Sequence, residues 1–385
     1  MSRKTAAIFT GVFLVTVVIM GVLSAVNLAD HYLNHTVSDN EWVPELGSKF
    51  ETDIAASFFR KFSFVSLNGA VRRVLGQREM NGVVKLNNGY LTTPLEQCPD
   101  EILRQFAGRT AALNDYLAKR GTFLLYVSPP YTTGKYDPEL PEGIEDFSND
   151  NMDRMNALLE EAGIDVIDIR EAMYAGGLDH YKMMYKTDHH WTTEAGFYAY
   201  GLIEDYIREK TGCGTDPLVS DPDQYEKTEY KNVFLGSRGN RTGIWYAGTD
   251  DFTLILPKFE THIRKSTGEE GSIRDLFINM EPLDHRERIP RYIYDDVLGG
   301  PAYLGDYVNT ESKNDVKIMI ITDSFSKAVN PYLIMNFREV NCIVDSYVGG
   351  ITPELIEDYD PDVVILMYYP KYINSNSGSF DFSGF

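Results

Sequence analysis

The longest apolar run comes first. Residues 6–26 carry no charge, follow Ser2-Arg3-Lys4 and precede Asp30. A helix of about 20 apolar residues crosses the hydrocarbon core of a bilayer. The positive flank before the run predicts that the rest of the chain lies outside. A cleaved leader has a shorter apolar core, and Ser24-Ala25-Val26 and Leu28-Ala29-Asp30 are poor cleavage sites. Residues 1–29 are therefore expected to form a cytoplasmic tip and an uncleaved transmembrane signal anchor. Residues 30–79 follow as a juxtamembrane spacer and helix. From Glu51 to Leu75, residues Phe58, Phe59, Phe62, Phe64, Val65, Leu67, Val71 and Val74 recur at mostly helical spacing. The expectation is a helix packed against a core.

A strand–helix rhythm follows. Val83-Val84-Lys85-Leu86 and Tyr90-Leu91-Thr92 flank Asn87-Asn88-Gly89, the pattern of a β-hairpin. Glu101 to Arg120 places Ile102, Leu103, Phe106, Leu113 and Leu117 on one helical face, and Gly121 fits the left-handed position that ends a helix. Thr122 to Val127 is a short, nearly continuous apolar run, as in a buried parallel strand. Asp150–Ala162 then reads as a helix, Asp165–Asp168 as a strand, and Thr193–Thr211 as a helix capped by Thr192. The alternation implies a doubly wound, largely parallel α/β sheet.

The rhythm breaks over residues 212–312, where Asp, Pro, Gly and Tyr accumulate. Phe252–Leu256 and Tyr292–Tyr294 read as strands of an irregular, β-rich insertion over the sheet edge. The glycine-rich loop Phe234–Gly243 lacks the GKS or GKT ending of a phosphate-binding loop. After residue 312 the α/β pattern returns: a strand over Val316–Thr322, a helix over Ser326–Phe337, and strands at Cys342–Val344 and Val363–Met367. The tail from Ile373, rich in Ser, Asn and Gly, is expected to be loose.

Composition narrows the partners. With 385 residues and 43% hydrophobic content, the chain can bury a large core. Its 57 acidic against 36 basic residues give a net charge of -21, which repels phosphate backbones and argues against nucleic acid. Cys98, Cys213 and Cys342 are odd in number and lack CxxC spacing, so no zinc knuckle or disulfide framework is indicated; a Cys98–Cys213 bridge stays open. No motif calls for a cofactor.

The candidate chemistry lies in two stretches. Lys186-Thr187-Asp188-His189-His190-Trp191 places an Asp and a His two residues apart, and Thr322-Asp323-Ser324 follows a strand. Ser324 at the carboxyl end of that strand would be a nucleophile on a sharp turn, with backbone N–H groups near a developing oxyanion. His190 would take its proton and Asp188 would fix the imidazole tautomer. His189 would point elsewhere, as a structural or substrate-facing neighbour. Two other readings exist: a capped helix start around a packed Trp, and a metal site of Asp188, His189 and His190. Adjacent histidines rarely converge on one ion, so no metal is expected.

The segment from Lys186 to Thr192 resembles the signature of the DHHW family. That family is similar to the alginate O-acetylation proteins of the AlgJ/AlgX type, within the SGNH hydrolase superfamily. Asn88-Gly89-Tyr90-Leu91, Pro129-Pro130-Tyr131, Gly236-Ser237, Asp323-Ser324-Phe325 and Pro361-Asp362-Val363-Val364 extend the likeness over roughly residues 80–370. The resemblance implies a three-layer α/β/α fold, with residues 80–211 and 313–385 as the catalytic domain and the Asp-x-His element preceding the serine. It implies Ser324 as nucleophile, His190 as base and Asp188 as its orienter. The amides of Gly236 and Ser237 are its candidate oxyanion donors.

These readings predict a membrane-anchored extracytoplasmic O-acetyltransferase or acetylesterase acting on a cell-surface polysaccharide. By analogy, a multispanning membrane acyltransferase would supply the acetyl group. The competing expectation is a non-catalytic glycan-binding or scaffold protein on the same fold.

Overall fold

Continuous apolar runs make the centre of the fold. In chain order, β1 is Glu79–Met80, β2 Val83–Lys85, β3 Leu91–Thr92, β4 Phe123–Ser128 and β5 Asp165–Asp168. β6 is Tyr225–Phe234, β7 Asp250–Pro257, β8 Ile263–Lys265, β9 Glu270–Gly271 and β10 Gly305–Asn309. β11 is Lys317–Thr322, β12 Glu339–Ile343 and β13 Val363–Met367. The computed structural model describes residues 3–34, 58–214, 216–284, 290–299, 304–344, 350–374 and 379–385. The spacer expected before the first domain helix falls largely at 35–57, outside the described residues.

The main sheet has eight strands in the order β5-β4-β13-β11-β12-β10-β8-β9. Its first five strands are parallel, with Met319 of β11 opposite Val364 of β13 and Asn341 of β12. β13 is buried along its whole length and β11 along all but Lys317, so both faces of the sheet are covered. The chain has the mixed α/β architecture expected of it, with a mostly parallel central sheet.

Segment 212–312 differs from its expected form. β6 and β7 pair as a separate antiparallel ribbon, with a register break between Tyr230 and Phe234. β8, β9 and β10 extend the main sheet itself, because β10 pairs antiparallel with β12. Tyr292–Tyr294 is no strand: Arg291 makes a single bridge to Phe234, and Tyr294–Val297 is a helical turn. Its apolar spacing is too short to separate the two outcomes.

Helix ends follow local chemistry. We label Arg3–Asn34 α1, Lys61–Val74 α2, Asp100–Arg120 α3 and Thr193–Thr211 α4. Gly121 ends α3 at φ 82°, and the Thr192 hydroxyl accepts from Ala195 N–H at the start of α4. The helix expected over Ser326–Phe337 is broken. A 3₁₀ turn spans Ser324–Ala328, and an α-helix starts at Asn330. Where α4 crosses the turn, a Cβ on Gly196 would sit 2.4 Å from Ala328 Cβ, so only glycine permits this approach.

Of the tail expected to be loose, residues 375–378 lie outside the described residues and residues 379–385 are packed. Phe380 and Phe382 are fully buried, and Phe380 stacks on Phe106 of α3 at 5.0 Å. All three cysteines are free thiols, with Cys98 and Cys342 buried.

Candidate active site

Three strand ends converge on one spot. Ser324 follows β11, Tyr368 and Tyr369 follow β13, and Tyr131 lies just past β4. This is where an open parallel sheet offers a crevice to a ligand. Asp323 pins the turn in place: one oxygen of its carboxylate accepts from Phe325 N–H at 2.8 Å, the other from Tyr369 N–H at 2.5 Å. The arrangement leaves the Ser324 side chain partly exposed at the head of the turn.

The segment from Lys186 to Thr192 arrives across this crevice. His190 Nδ1 lies 2.6 Å from Asp188 Oδ1, and His190 Nε2 lies 2.8 Å from Ser324 Oγ. An ionised carboxylate only accepts, so Nδ1 carries the proton and Nε2 accepts from the serine hydroxyl. Ser324, His190 and Asp188 thus form one hydrogen-bonded chain across 134 residues of sequence. Both Asp188 and His190 are buried, while Ser324 opens toward solvent.

Burial by itself would raise the Asp188 carboxyl. The neighbouring imidazoles and their hydrogen bonds outweigh it and hold the group well below the ordinary carboxylate range. Burial, reinforced by His189, pushes His190 down to about 4 against the opposing pull of Asp188. The ring is therefore neutral at physiological pH, the state in which it accepts a proton.

A clamp from the 236–239 loop holds this pair. Gly236 N–H donates to Thr187 Oγ1 at 2.8 Å, Ser237 N–H to Asp188 Oδ2 at 2.6 Å, and Gly239 N–H to Thr187 O at 2.8 Å. A Cβ on Gly236 would lie 2.3 Å from Asp188 Cβ, which is why this position is glycine. The expectation that the Gly236 and Ser237 amides face an oxyanion is thereby corrected. Both are already committed, Gly236 to the Thr187 hydroxyl and Ser237 to the Asp188 carboxylate.

His189 and Trp191 gain places that sequence left blank. His189 Nδ1 lies 2.9 Å from Ser237 Oγ, and its ring stands between those of His190 and Tyr369, with centroids at 3.8 and 5.1 Å. The Trp191 indole is buried and donates to Phe325 O at 2.9 Å, tying the His190 segment to the Ser324 turn. The donor atoms of Asp188, His189 and His190 lie within 4.8 Å of one another. Hydrogen bonds to each other, to Ser324 and to Ser237 occupy them, an arrangement suited to proton transfer rather than to an ion.

Two charged residues escaped the sequence reading. Asp250 accepts from Lys186 N–H, Thr187 N–H and the Thr187 hydroxyl, and burial pushes its carboxyl up to about 6. Arg238 is fully buried and donates to Leu91 O and Asp188 O, at 2.8 and 2.9 Å, and to Tyr369 Oη at 3.2 Å. It also contacts Thr132 Oγ1. One guanidinium thus joins β3, the loop after β4, the Asp188 backbone and the end of β13. The only sequence hint was an arginine inside a small polar loop. Tyr294 completes the wall, stacked on His190 at 4.0 Å and 12°.

Residues 92–232 match the family model described as the SGNH hydrolase-like domain of acetyltransferase AlgX. No match to a curated protein was found. PatB1 from Bacillus cereus superposes with a TM-score of 0.62 at 17% identity, over 78% of this chain and 99% of that one. A DHHW family protein from Eubacterium siraeum gives 0.57 at 17% identity, over 78% and 95%. The O-acetyltransferase domain of Pseudomonas putida AlgJ gives 0.50 at 13% identity, over 79% and 95%. The resemblance read from residues 186–192 is thus matched by both kinds of comparison: residues 92–232 are similar to an SGNH hydrolase-like domain, and the fold is shared with these solved structures.

Proposed function

We propose that this chain is a membrane-anchored extracytoplasmic O-acetyltransferase or acetylesterase of a cell-surface polysaccharide. The observation that carries the reading is the continuous chain of hydrogen bonds from Asp188 through His190 to Ser324. In the proposed mechanism Ser324 Oγ attacks the acetyl carbonyl while its proton passes to His190 Nε2. Asp188 remains ionised and stabilises the imidazolium. The tetrahedral intermediate collapses as His190 returns the proton to the leaving oxygen, leaving acetyl-Ser324. A sugar hydroxyl or water, deprotonated by His190, then attacks this ester and frees the serine. The Ser324 amide, which has no protein acceptor among the described residues, is the proposed oxyanion donor.

Support for acetyl chemistry comes from relatives: an O-acetyltransferase domain is among the similar structures, and PatB1 has been captured as a sulfonyl adduct. The apolar span Ile8–Ala29 supports the anchor. A multispanning membrane acyltransferase is the proposed acetyl donor. The test is acetate release from a chromogenic acetyl ester by detergent-purified full chain, together with labelling by a sulfonyl fluoride. Ser324→Ala and His190→Ala are each expected to lower turnover by about 10⁴-fold or more. Undiminished labelling of Ser324→Ala would move the nucleophile elsewhere. Folded wild type that neither labels nor turns over would favour the glycan-binding scaffold.

A further inference from the structure

The helix expected to pack on the core does so with only part of its apolar residues: Phe62 and Val65 pack against the cluster around Tyr246. Ser66 and Gly69 of α2 are its buried residues, and a Cβ on Gly69 would lie 2.3 Å from Thr242 O. Phe64, Leu67, Val71 and Val74 face outward along one stripe, with Val74 86% exposed. Trp245 continues the surface at 54% exposure, and its carbonyl accepts from Arg73. Arg72 and Arg73 lie in the last turn of α2, away from the stripe, with Arg72 bonded to Asn68, Gln77 and the Glu79 carbonyl.

Position adds a second, independent observation. The Phe59 N–H, just before α2, donates to Ser24 Oγ at 3.0 Å. Ser24 lies near the outer end of the apolar span Ile8–Ala29. The start of α2 is therefore held at the level where that span would leave the bilayer.

From these observations we infer that the outward face of α2, with Trp245, lies on the lipid surface beside the anchor, its arginines against anionic headgroups. The inference rests on the anchor reading. An exposed apolar stripe with a nearby exposed tryptophan, and arginines at the end of the same helix, matches what an interface of acyl chains and headgroups accepts. A net charge of -21 opposes contact with an anionic bilayer, so a docking face needs apolar surface and local cations. The consequence reaches the site. α2 packs on residues 237–242, whose Ser237 and Arg238 touch the Asp188 segment. Docking would thus hold Ser324 at a set height above the membrane, suited to an acetyl group delivered from within it.

The test uses the full chain in liposomes of phosphatidylcholine and phosphatidylglycerol. An environment-sensitive fluorophore is attached at Val71→Cys or, as a reference, at Glu160→Cys, with the unsubstituted protein as labelling control. Nitroxide lipids are expected to quench the probe at 71 and not at 160. Arg72→Gln with Arg73→Gln should shift the docked population by about fivefold per charge removed. A chain that resists carbonate extraction but shows equal quenching at both positions overturns the docking alone. Carbonate extraction of the full chain defeats the anchor, and the docking falls with it. Quenching at 71 that appears only when a partner membrane protein is co-reconstituted would assign the face to protein, and would also overturn the inference.

Discussion

The parallel half of the sheet and the segment between residues 212 and 312 are built on different principles and contribute differently to the site. β4, β11 and β13 are apolar runs buried on both faces, and they deliver Tyr131, Ser324 and Tyr369 from their carboxyl ends. The described part of segment 212–312 is built of short or half-exposed strands and helical turns, and it delivers Gly236, Arg238, Asp250 and Tyr294 around Asp188 and His190. The first region supplies the floor and the proposed nucleophile. The second supplies the clamp around the proposed proton acceptor. A rigid sheet can present a serine, but a base two residues from its carboxylate needs a loop pressed against it.

If that division holds, variants in the two regions should fail differently. Asp188→Asn keeps the shape but accepts poorly and favours the wrong imidazole tautomer. It should cost about 10⁴-fold in turnover of an acetyl ester, with melting temperature measured alongside. Equal activity of this variant would remove Asp188 from the mechanism. Gly236→Ala tests the clamp without touching the Ser324–His190 pair. Its methyl group must displace Asp188, and a misplacement of about 1 Å is expected to lower turnover by about 10²-fold. A fully active Gly236→Ala would show that the loop merely fills space.

The smallest effect expected at neutral pH is the most diagnostic of the electrostatics. Because His190 is pushed down to about 4, the rate of sulfonyl labelling should stay level from neutral pH to about 5 and fall below about 4. An ordinary histidine would lose half its base near pH 6.5. A midpoint there would mean that burial and His189 leave the ring unperturbed. Thermal stability is the wrong readout for this question. The lowered His190 favours the unprotonated form, so its contribution is lost as pH falls from about 6.5 toward 4. The raised Asp250 works oppositely: its contribution is present below about 4 and is lost as pH rises through about 6. Over the same window the two largely offset each other.

The legible parts of the fold have one thing in common: each is specified within a few residues. Val363–Met367 forms a strand over the expected residues, and α4 begins and ends where Thr192 and Thr211 predict. The hairpin around Asn88-Gly89 has the expected pairing, with Gly89 at φ 91°. Where local pattern misled, a distant partner decided. The apolar spacing of α2 does not tell which residues face the core: Phe62 and Val65 do, with Gly69 against Thr242, while Phe64, Leu67, Val71 and Val74 stay exposed. Phe380 and Phe382 sit among Ser and Gly and read as tail, but α3 gives Phe380 a ring to stack on.

The sequence by itself determined the parallel strands, the helix caps and the two stretches that hold Asp188, His190 and Ser324. These depend on periodicity, capping and the chemistry of side chains. Tertiary structure decided which groups the clamp amides serve, where His189 turns, what Trp191 holds, and that Arg238 and Asp250 stand beside the site. A backbone N–H carries no mark of its acceptor. Gly236 finds Thr187 across 49 residues and Trp191 finds Phe325 across 134, so those partnerships exist only once the sheet has brought the strand ends together.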